Sequence, residues 1–295
     1  MSAARVAIAT SEEGLEADAD LGPLVAALRD EGLSAEPVRW DAGPAVWEGF
    51  DMAVVRSTWD YTERLDEFLA WVDRTARVTR LYNPASVVRW NSDKRYLRDL
   101  ADRRVAVVPT RFIEPGEQYG PDCFPEHAGL VVKPAVSAGA VDTARYEPGR
   151  HADARSHARM LLDQDRVAMV QPYLRLVEEG ERALVFVGGE FSHAIRKGPL
   201  LTEPGVIDND RIAHPDVTAY RPTREETEVA AAALAAVPSA EVPLFARVDL
   251  ALDDDRKPVV MELELVEPNL FLEHHPEAVR RFAHAVATRA RQVTR

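Results

Sequence analysis

Phe245-Ala-Arg247-Val-Asp249-Leu-Ala-Leu252, followed across Asp253-Asp-Asp-Arg-Lys-Pro258 by Val259-Val-Met-Glu262-Leu-Glu264-Leu-Val266, decides how this chain is read. The segment spells two strands and a turn, with acids in an unexpected place. Side chains alternate across a strand, so Val248, Leu250 and Leu252 share one face and Arg247 and Asp249 the other; Glu262 and Glu264 likewise oppose Met261, Leu263 and Leu265. A loop of about five or six residues centred on Asp255 pairs the strands antiparallel and sets Asp249 roughly opposite Glu262, where like charges repel. Three carboxylates then converge on one face, and something positive must answer them. Mg2+ is the economical candidate, a hard cation that takes oxygen ligands and keeps waters or phosphate oxygens in its shell. The alternative is the solvated outer face of an edge hairpin.

The chain has 295 residues, 46% hydrophobic and 29% charged, the composition of an ordinary globular protein with ample material for a core. A formal net charge of -13 argues against a nucleic-acid partner, since phosphate backbones are held by basic surface. One cysteine, Cys123, excludes an internal disulfide and a cysteine-based zinc site and fits a reducing compartment. The apolar run after Met1 is too short for a signal segment, and no stretch approaches the ~20 apolar residues of a membrane helix. A cytoplasmic protein without a membrane partner is expected; a homodimer is left open.

Residues 5–10 read as a strand, an acid-rich loop follows, and Leu21 to Glu31 carries helical spacing until Gly32. Ala35 to Trp40 and Asp51 to Val55 are further strands, and Arg64 to Thr75 is an amphipathic helix, so the first 85 residues are α/β. In open sheets of this kind ligands sit at the carboxyl ends of strands, which places Arg56-Ser57-Thr-Trp59-Asp60-Tyr61 at a favoured position. Tyr82-Asn83-Pro84 marks a boundary. Beyond it come helices from Ala85 and from near Asn91 to Leu100. Strands are expected over Val107 to Ile113, Leu130 to Pro134, Asp142 to Tyr146 and Val167 to Pro172, with a helix from Asp153 to Leu162. Glu181 to Val187 and Glu190 to Ile195 form a hairpin across Gly188-Gly189, and helices follow at Thr223 to Ala236 and Pro276 to Gln292.

Lys133 ends the apolar run Leu130-Val-Val-Lys133 and is followed by the small-residue loop Ser137-Ala138-Gly139-Ala140. A charge there is costly unless an anion compensates it, and phosphate is a natural partner; a lysine snorkelling at a strand end is the alternative. Neither Gly-x-x-x-x-Gly-Lys-Ser/Thr nor Gly-x-Gly-x-x-Gly occurs, so a nucleotide must be held in another way. Met169-Val-Gln171-Pro-Tyr173-Leu174, with Glu178 and Glu181 after it, supplies an apolar slot, backbone groups for a base edge and carboxylates for ribose hydroxyls. His151, His157, His274 and His275 lack a metal-binding pattern and read as surface residues.

Taken in order, Asn91-x-x-Lys94, Val132-Lys133-Pro134, Gln171-Pro-Tyr173-Leu174, Arg247-Val-Asp249 and Glu262-Leu-Glu264 resemble the ATP-grasp superfamily of carboxylate-amine ligases. The likeness covers residues 85–275 and is nearest to the glutathione-synthetase and ribosomal-protein-S6-modifying branch. Gly189-Glu-Phe-Ser-His-Ala-Ile-Arg196-Lys197, Glu267-Pro-Asn269-Leu-Phe271 and Val55-Arg-Ser-Thr-Trp-Asp-Tyr61 are similar to the cyclo-ligases of cycloserine biosynthesis, which extends it to the whole chain. The resemblance implies an ATP-grasp fold of mixed α/β and α+β character: an N-terminal α/β substrate-side domain over 1–85, a small lobe with a helical lead-in over 86–174, and a C-terminal lobe with the metal site over 175–295.

It also implies roles. Lys94 and Lys133 would contact ATP phosphates beneath the mobile loop Ser137 to Ala140, whose glycine content is low for that task. Gln171, Tyr173 and Leu174 would line the adenine site, with Glu181 on the ribose. Asp249, Glu262 and Glu264 match the magnesium ligands, the last being Asn in many members. Arg247 matches an arginine that steadies the transferred phosphoryl group in D-alanine ligases, with Arg196 and Lys197 nearby. Only one of His193 and Arg196 should face the site, and Arg196 is the choice. Arg56, Ser57, Trp59, Asp60, Tyr61 and Asn269 are expected around an amino-acid substrate, Arg56 and Asn269 holding its amino-acid end. The implied reaction activates a carboxylate as an acylphosphate, releases ADP, and joins the acyl group to an amine, in one version within the same molecule. Two readings from other classes stand beside it: a nucleotide-binding sensor or partner-binding module that ligates nothing, and a small-molecule kinase.

Overall fold

The periodicities that separate buried from half-buried strands sort the chain into three sheets. The structure, a computed structural model, describes residues 3–201, 203–207 and 216–293. The first lobe runs β1 (Arg5–Thr10), α1 (Glu12–Ala17), α2 (Leu21–Asp30), β2 (Ser34–Arg39), α3 (Pro44–Trp47), β3 (Met52–Val55), α4 (Leu65–Val78) and β4 (Arg80–Tyr82). Its sheet is parallel in the order β2-β1-β3-β4. Helices cover both faces, which is why β1 and β3 are nearly continuous apolar runs. One side holds Trp40, Trp47, Phe68 and Trp71, with Trp47 and Trp71 edge to face at 5.1 Å. The acid-rich stretch expected as a loop is α1, because Ser11 caps it by accepting the Gly14 amide. Gly14 is required there, since a Cβ would lie 2.3 Å from the Ser57 carbonyl oxygen.

Two short helices, α5 (Ala85–Asn91) and α6 (Tyr96–Asp102), lead into the middle lobe of β5 (Arg111–Ile113), β6 (Leu130–Pro134), β7 (Ala144–Tyr146), α7 (His151–Asp163) and β8 (Ala168–Pro172). Its strands are antiparallel in the order β5-β8-β6-β7. The strand expected over Val107 to Ile113 is split at Pro109, which has no amide to donate: Val107 bridges Val260, and only Arg111–Ile113 joins this sheet. His157, expected at the surface, is buried in α7 with Nδ1 3.0 Å from the Tyr146 hydroxyl.

The third sheet holds β9 (Glu181–Val187), β10 (Glu190–Lys197), β11 (Thr218–Tyr220), β12 (Phe245–Leu252) and β13 (Pro258–Glu264), antiparallel in the order β11-β10-β9-β12-β13. Helix α8 (Arg224–Ala235) starts with a reciprocal Thr223/Glu226 capping box, and α9 (Pro276–Val293) closes the chain against α2. Strand β13 is an edge, and side chains complete it. Asn91 donates to the Leu263 carbonyl and accepts from the Leu265 amide, both at 2.7 Å, and the Tyr96 hydroxyl accepts from Leu263 N at 2.9 Å. One apolar core spans β1, β3, α2, α9 and the ends of β9 and β12, so the first and third sheets are packed together. Among the described residues no helix is long and apolar enough to cross a membrane.

Candidate active site

The β12–β13 register sets Asp249 against Glu262 and Arg247 against Glu264, and a bulge follows Asp249. That bulge turns the acids to one face, since the turn-side register, with Leu250 against Val260, would otherwise set Asp249 against Met261; they line a cavity of about 600 Å³ shared by all three lobes. Each carboxylate meets cations. Lys133, at the end of β6, reaches Glu262 at 3.1 Å, and Lys94, in the break between α5 and α6, lies 3.8 Å from the same oxygen. Arg247 donates to both oxygens of Asp249 at 2.9 Å and also bonds Glu264; Lys197 of β10 donates to Asp249 at 2.7 Å and lies 3.1 Å from Glu181.

Burial opposes every one of these charges, and the partners decide the outcome. Burial would raise the Asp249 carboxyl, yet Arg247 and Lys197 hold it well below the usual carboxylate range. Burial likewise works against Glu262, but Lys94 and Lys133 bring it down to about 2. Glu264 goes the other way: burial raises it, Arg247 only partly offsets that, and with Asp249 and Glu262 close by it stands at about 7. Burial would pull the Lys197 ammonium down, and Asp249 and Glu181 hold it above its ordinary value.

Of the expected phosphate and nucleotide contacts, Lys94, Lys133, Ser137, Ala138 and Gly139 line the cavity, as do Gln171, Tyr173, Leu174 and Glu181. The Lys94 ammonium donates to the Ser137 carbonyl at 2.5 Å, so the small-residue loop folds onto the lysine beside it. Gly139 and Ala140 both have positive φ, 62° and 61°, turning the loop sharply. Gln171 is fixed by donating to the Thr110 hydroxyl at 2.8 Å.

On the substrate side Trp59, Tyr61 and Asn269 line the cavity, whereas Arg56, Ser57 and Asp60 do not. Arg56 is buried against Asp18 and Asp20 and donates to the Pro268 carbonyl. The Ser57 hydroxyl is 2.8 Å from that of Thr10, and Asp60 accepts from Trp40 Nε1 and Arg64. For Asp60 the reason is the short helical turn Trp59–Thr62, which carries its carboxylate back toward Trp40 and Arg64; Arg56 and Ser57 precede that turn and are drawn away by Asp18, Asp20 and Thr10. Arg196 is the other correction. Along β10, Lys197 points into the cavity and Arg196 to the opposite, exposed face, its stem against Gly180; strand alternation admits one of two neighbours. Sequence reasoning missed Glu13, Glu267, Phe271, Glu273 and His274 as cavity residues: Glu13 sits on a helix read as a loop, and the others lie on the irregular segment after β13 and the short helical turn Leu272–His274 that ends it.

Three carboxylates on one cavity wall are a hard-oxygen donor set, of the kind a divalent cation takes. Glu262 and Glu264 would hold it directly; Asp249, with both oxygens bonded to Arg247 and Lys197, would join only by giving up one of those bonds. Among the described residues no three acids or histidines are gathered closely enough to ligate one ion.

Residues 6–83 match the model of the D-cycloserine synthetase DcsG N-terminal domain. The cycloserine biosynthesis protein DcsG of Streptomyces lavendulae is 38% identical over 299 residues, covering 96% of this chain and 98% of that protein. The chain belongs to the D-cycloserine synthetase family. The crystal structure of D-cycloserine synthetase DcsG superposes with a TM-score of 0.88 at 36% identity, over 97% of this chain and 99% of that one. A D-alanine–D-alanine ligase from Bacillus anthracis complexed with ATP shares the fold, with a TM-score of 0.72 at 14% identity over 99% and 98% of the two chains. As a D-cycloserine synthetase family member the protein is an ATP-dependent ligase of ATP-grasp fold with a place in antibiotic biosynthesis.

Proposed function

We propose that this enzyme activates the carboxylate of a small amino acid with ATP and closes a ring by attack of an amine-type nitrogen in the same molecule, giving an isoxazolidinone of the cycloserine kind. The observation that carries the reading is the convergence of Lys94, Lys133, Lys197 and Arg247 on Asp249, Glu262 and Glu264 within one cavity that continues to Trp59, Tyr61 and Asn269. Lys94 and Lys133 would bind phosphate oxygens, exchanging Glu262 for a ligand of like charge. Gln171, Tyr173, Leu174 and Glu181 would hold the base and ribose. Mg2+ on Glu262 and Glu264 would neutralise phosphate charge as it develops.

The substrate carboxylate attacks the γ-phosphorus, the bond to the β-phosphate oxygen breaks, and ADP leaves. Arg247 and Lys197, held in place by Asp249, steady the transferred group and the oxyanion formed when nitrogen attacks the acyl carbon. Phosphate leaves with its oxygen, nitrogen loses a proton, and the net change in the amino acid is loss of water. No protein nucleophile is needed. A cytoplasmic location, and a homodimer if the chain assembles, belong to the same proposal.

The test is ADP and phosphate release with ATP and Mg2+ over a panel of amino acids carrying a nitrogen nucleophile on the side chain, with product masses. A product lighter than its parent by water supports ring closure. Joining of two molecules would replace it with intermolecular ligation, a phosphorylated product would make the protein a kinase, and ATP binding without ADP would make it a sensor.

A further inference from the structure

The segment from Glu267 to Glu273 leaves β13, runs beside the cavity and has no regular structure before its last two residues, yet its backbone is bonded at almost every step. The Glu267 carbonyl accepts from Trp59 Nε1 at 3.3 Å, and that of Pro268 from Arg56 at 3.0 Å. The Asn269 carbonyl accepts from Arg247 at 2.9 Å, and that of Leu270 pairs with His193 Nε2 at 2.8 Å. The Phe271 amide donates to the Asn269 side chain at 2.8 Å, and Asp20 takes the Leu272 and Glu273 amides on its two oxygens, at 3.2 and 3.1 Å.

The holders lie far apart in the chain. Asp20 and Arg56, 4% and 1% exposed, belong to the first lobe and lie 3.7 Å apart; His193, 4% exposed, is on β10. None of the three lines the cavity, while Asn269, Phe271, Glu273 and His274 do. Phe271 has φ 51°, a conformation a bulky side chain keeps only when its surroundings impose it. Its ring also lies 5.5 Å from the Arg247 guanidinium, so the segment's shape reaches the group that holds Asp249. Burial keeps His193 neutral, consistent with an Nε2–H that donates to Leu270.

We propose that Asp20, Arg56 and His193 are positioning residues that clamp residues 267–273 between the first and third sheets and so fix the amino-acid half of the site. The kinetic consequence rests on the ligase reading above; the structural one does not. Two variant sets in the full-length protein test it. His193→Ala removes the donor to Leu270, His193→Gln restores an amide N–H at similar reach, and Asp20→Asn keeps one acceptor while weakening the hold on Leu272, Glu273 and Arg56.

Without any ligand, amide hydrogen exchange in peptides spanning 267–273 should quicken about tenfold in His193→Ala and Asp20→Asn, the loss of one buried hydrogen bond, with 130–141 unchanged. In turnover, the amino-acid KM should rise about tenfold with the ATP KM within about twofold, and His193→Gln should stay near the parent. Unchanged exchange over 267–273, parallel increases in both KM values, or a His193→Gln as impaired as His193→Ala would each overturn the clamp. If the parent releases no ADP with any amino acid, the ligase reading falls and the exchange experiment still decides the clamp. Should Asp20→Asn fail to fold, the His193 pair carries the test alone.

Discussion

Replacing Lys133 with methionine separates its structural partner from its proposed substrate. In the ligand-free protein Lys133 is bonded to Glu262 at 3.1 Å, and Lys94 lies 3.8 Å from the same oxygen. Together they bring Glu262 from 4.5 to about 2 against the opposing effect of burial. At neutral pH, above both values, that difference is worth about 3 kcal/mol. Glu262 is a quarter exposed and Lys94 remains, so Lys133→Met should forfeit about half, roughly 1.5 kcal/mol. Glu262→Gln in the same background removes the stranded charge and should recover most of that loss. Activity should behave differently. If Lys133 neutralises the transferred phosphoryl group, its loss costs on the order of 10²–10³ in kcat, and Glu262→Gln cannot restore it. Thermal unfolding and ATP-dependent ADP release on the parent, both single variants and the double variant close the cycle. Full kcat in Lys133→Met, or activity returning with stability in the double variant, would refute the reasoning, because the lysine would then serve only to neutralise Glu262.

Arg196→Ala should leave kcat unchanged and stability within about 0.5 kcal/mol, as its side chain is exposed on the far face of β10. Lys197→Met removes the Glu181 ion pair and leaves Asp249 to Arg247, and should cost about 3–5 kcal/mol together with ADP release; an inactive Arg196→Ala beside an active Lys197→Met would reverse the assignment. Asn91→Ala exposes the edge of β13 by leaving the Leu263 carbonyl and Leu265 amide unpaired, and unfolding measurements should find a loss of about 2–4 kcal/mol. Burial lowers His157 from 6.5 to about 4, so the unfolded chain takes its proton first. The His157 contribution of about 3 kcal/mol is present above pH 6.5 and lost as pH falls toward 4. Glu264, raised to about 7, acts with opposite sign, favouring the native state as pH falls from 7 toward 4.5. The comparison of His157→Gln with the parent isolates the histidine: its acid limb should be shallower, and parallel limbs would count against a neutral buried imidazole.

Much of the architecture is written in short-range pattern. The hairpin of β9 and β10 starts and turns where Gly188-Gly189 permits it, and β6 spans the apolar run Leu130 to Pro134. Features missed lack such pattern: Pro109 divides an apolar run into two pairings, and β11 is a three-residue strand with little apolar content. The phosphate side of the cavity was readable because Lys94, Lys133 and the acids occupy costly positions in regular elements. The substrate side was not, because Arg56 and Asp60 carry the same residue types for a structural purpose, and their neighbours Trp59 and Tyr61 turn the other way.

Although only the bulge after Asp249 makes the two faces coincide, the sequence by itself determined that Arg247 and Asp249 share one face of their strand and Glu262 and Glu264 one face of theirs, because side chains alternate. It also carried enough likeness over its length to place the chain in its family. Tertiary structure alone decided what faces those acids. Lys94 lies 155 residues before Asp249 in the chain, and only the packing of three sheets brings it, Lys133 and Lys197 within reach of the acid pair. The same packing decided that Arg56 holds a backbone carbonyl instead of facing the cavity, since the direction of a side chain in an irregular loop is set by distant partners.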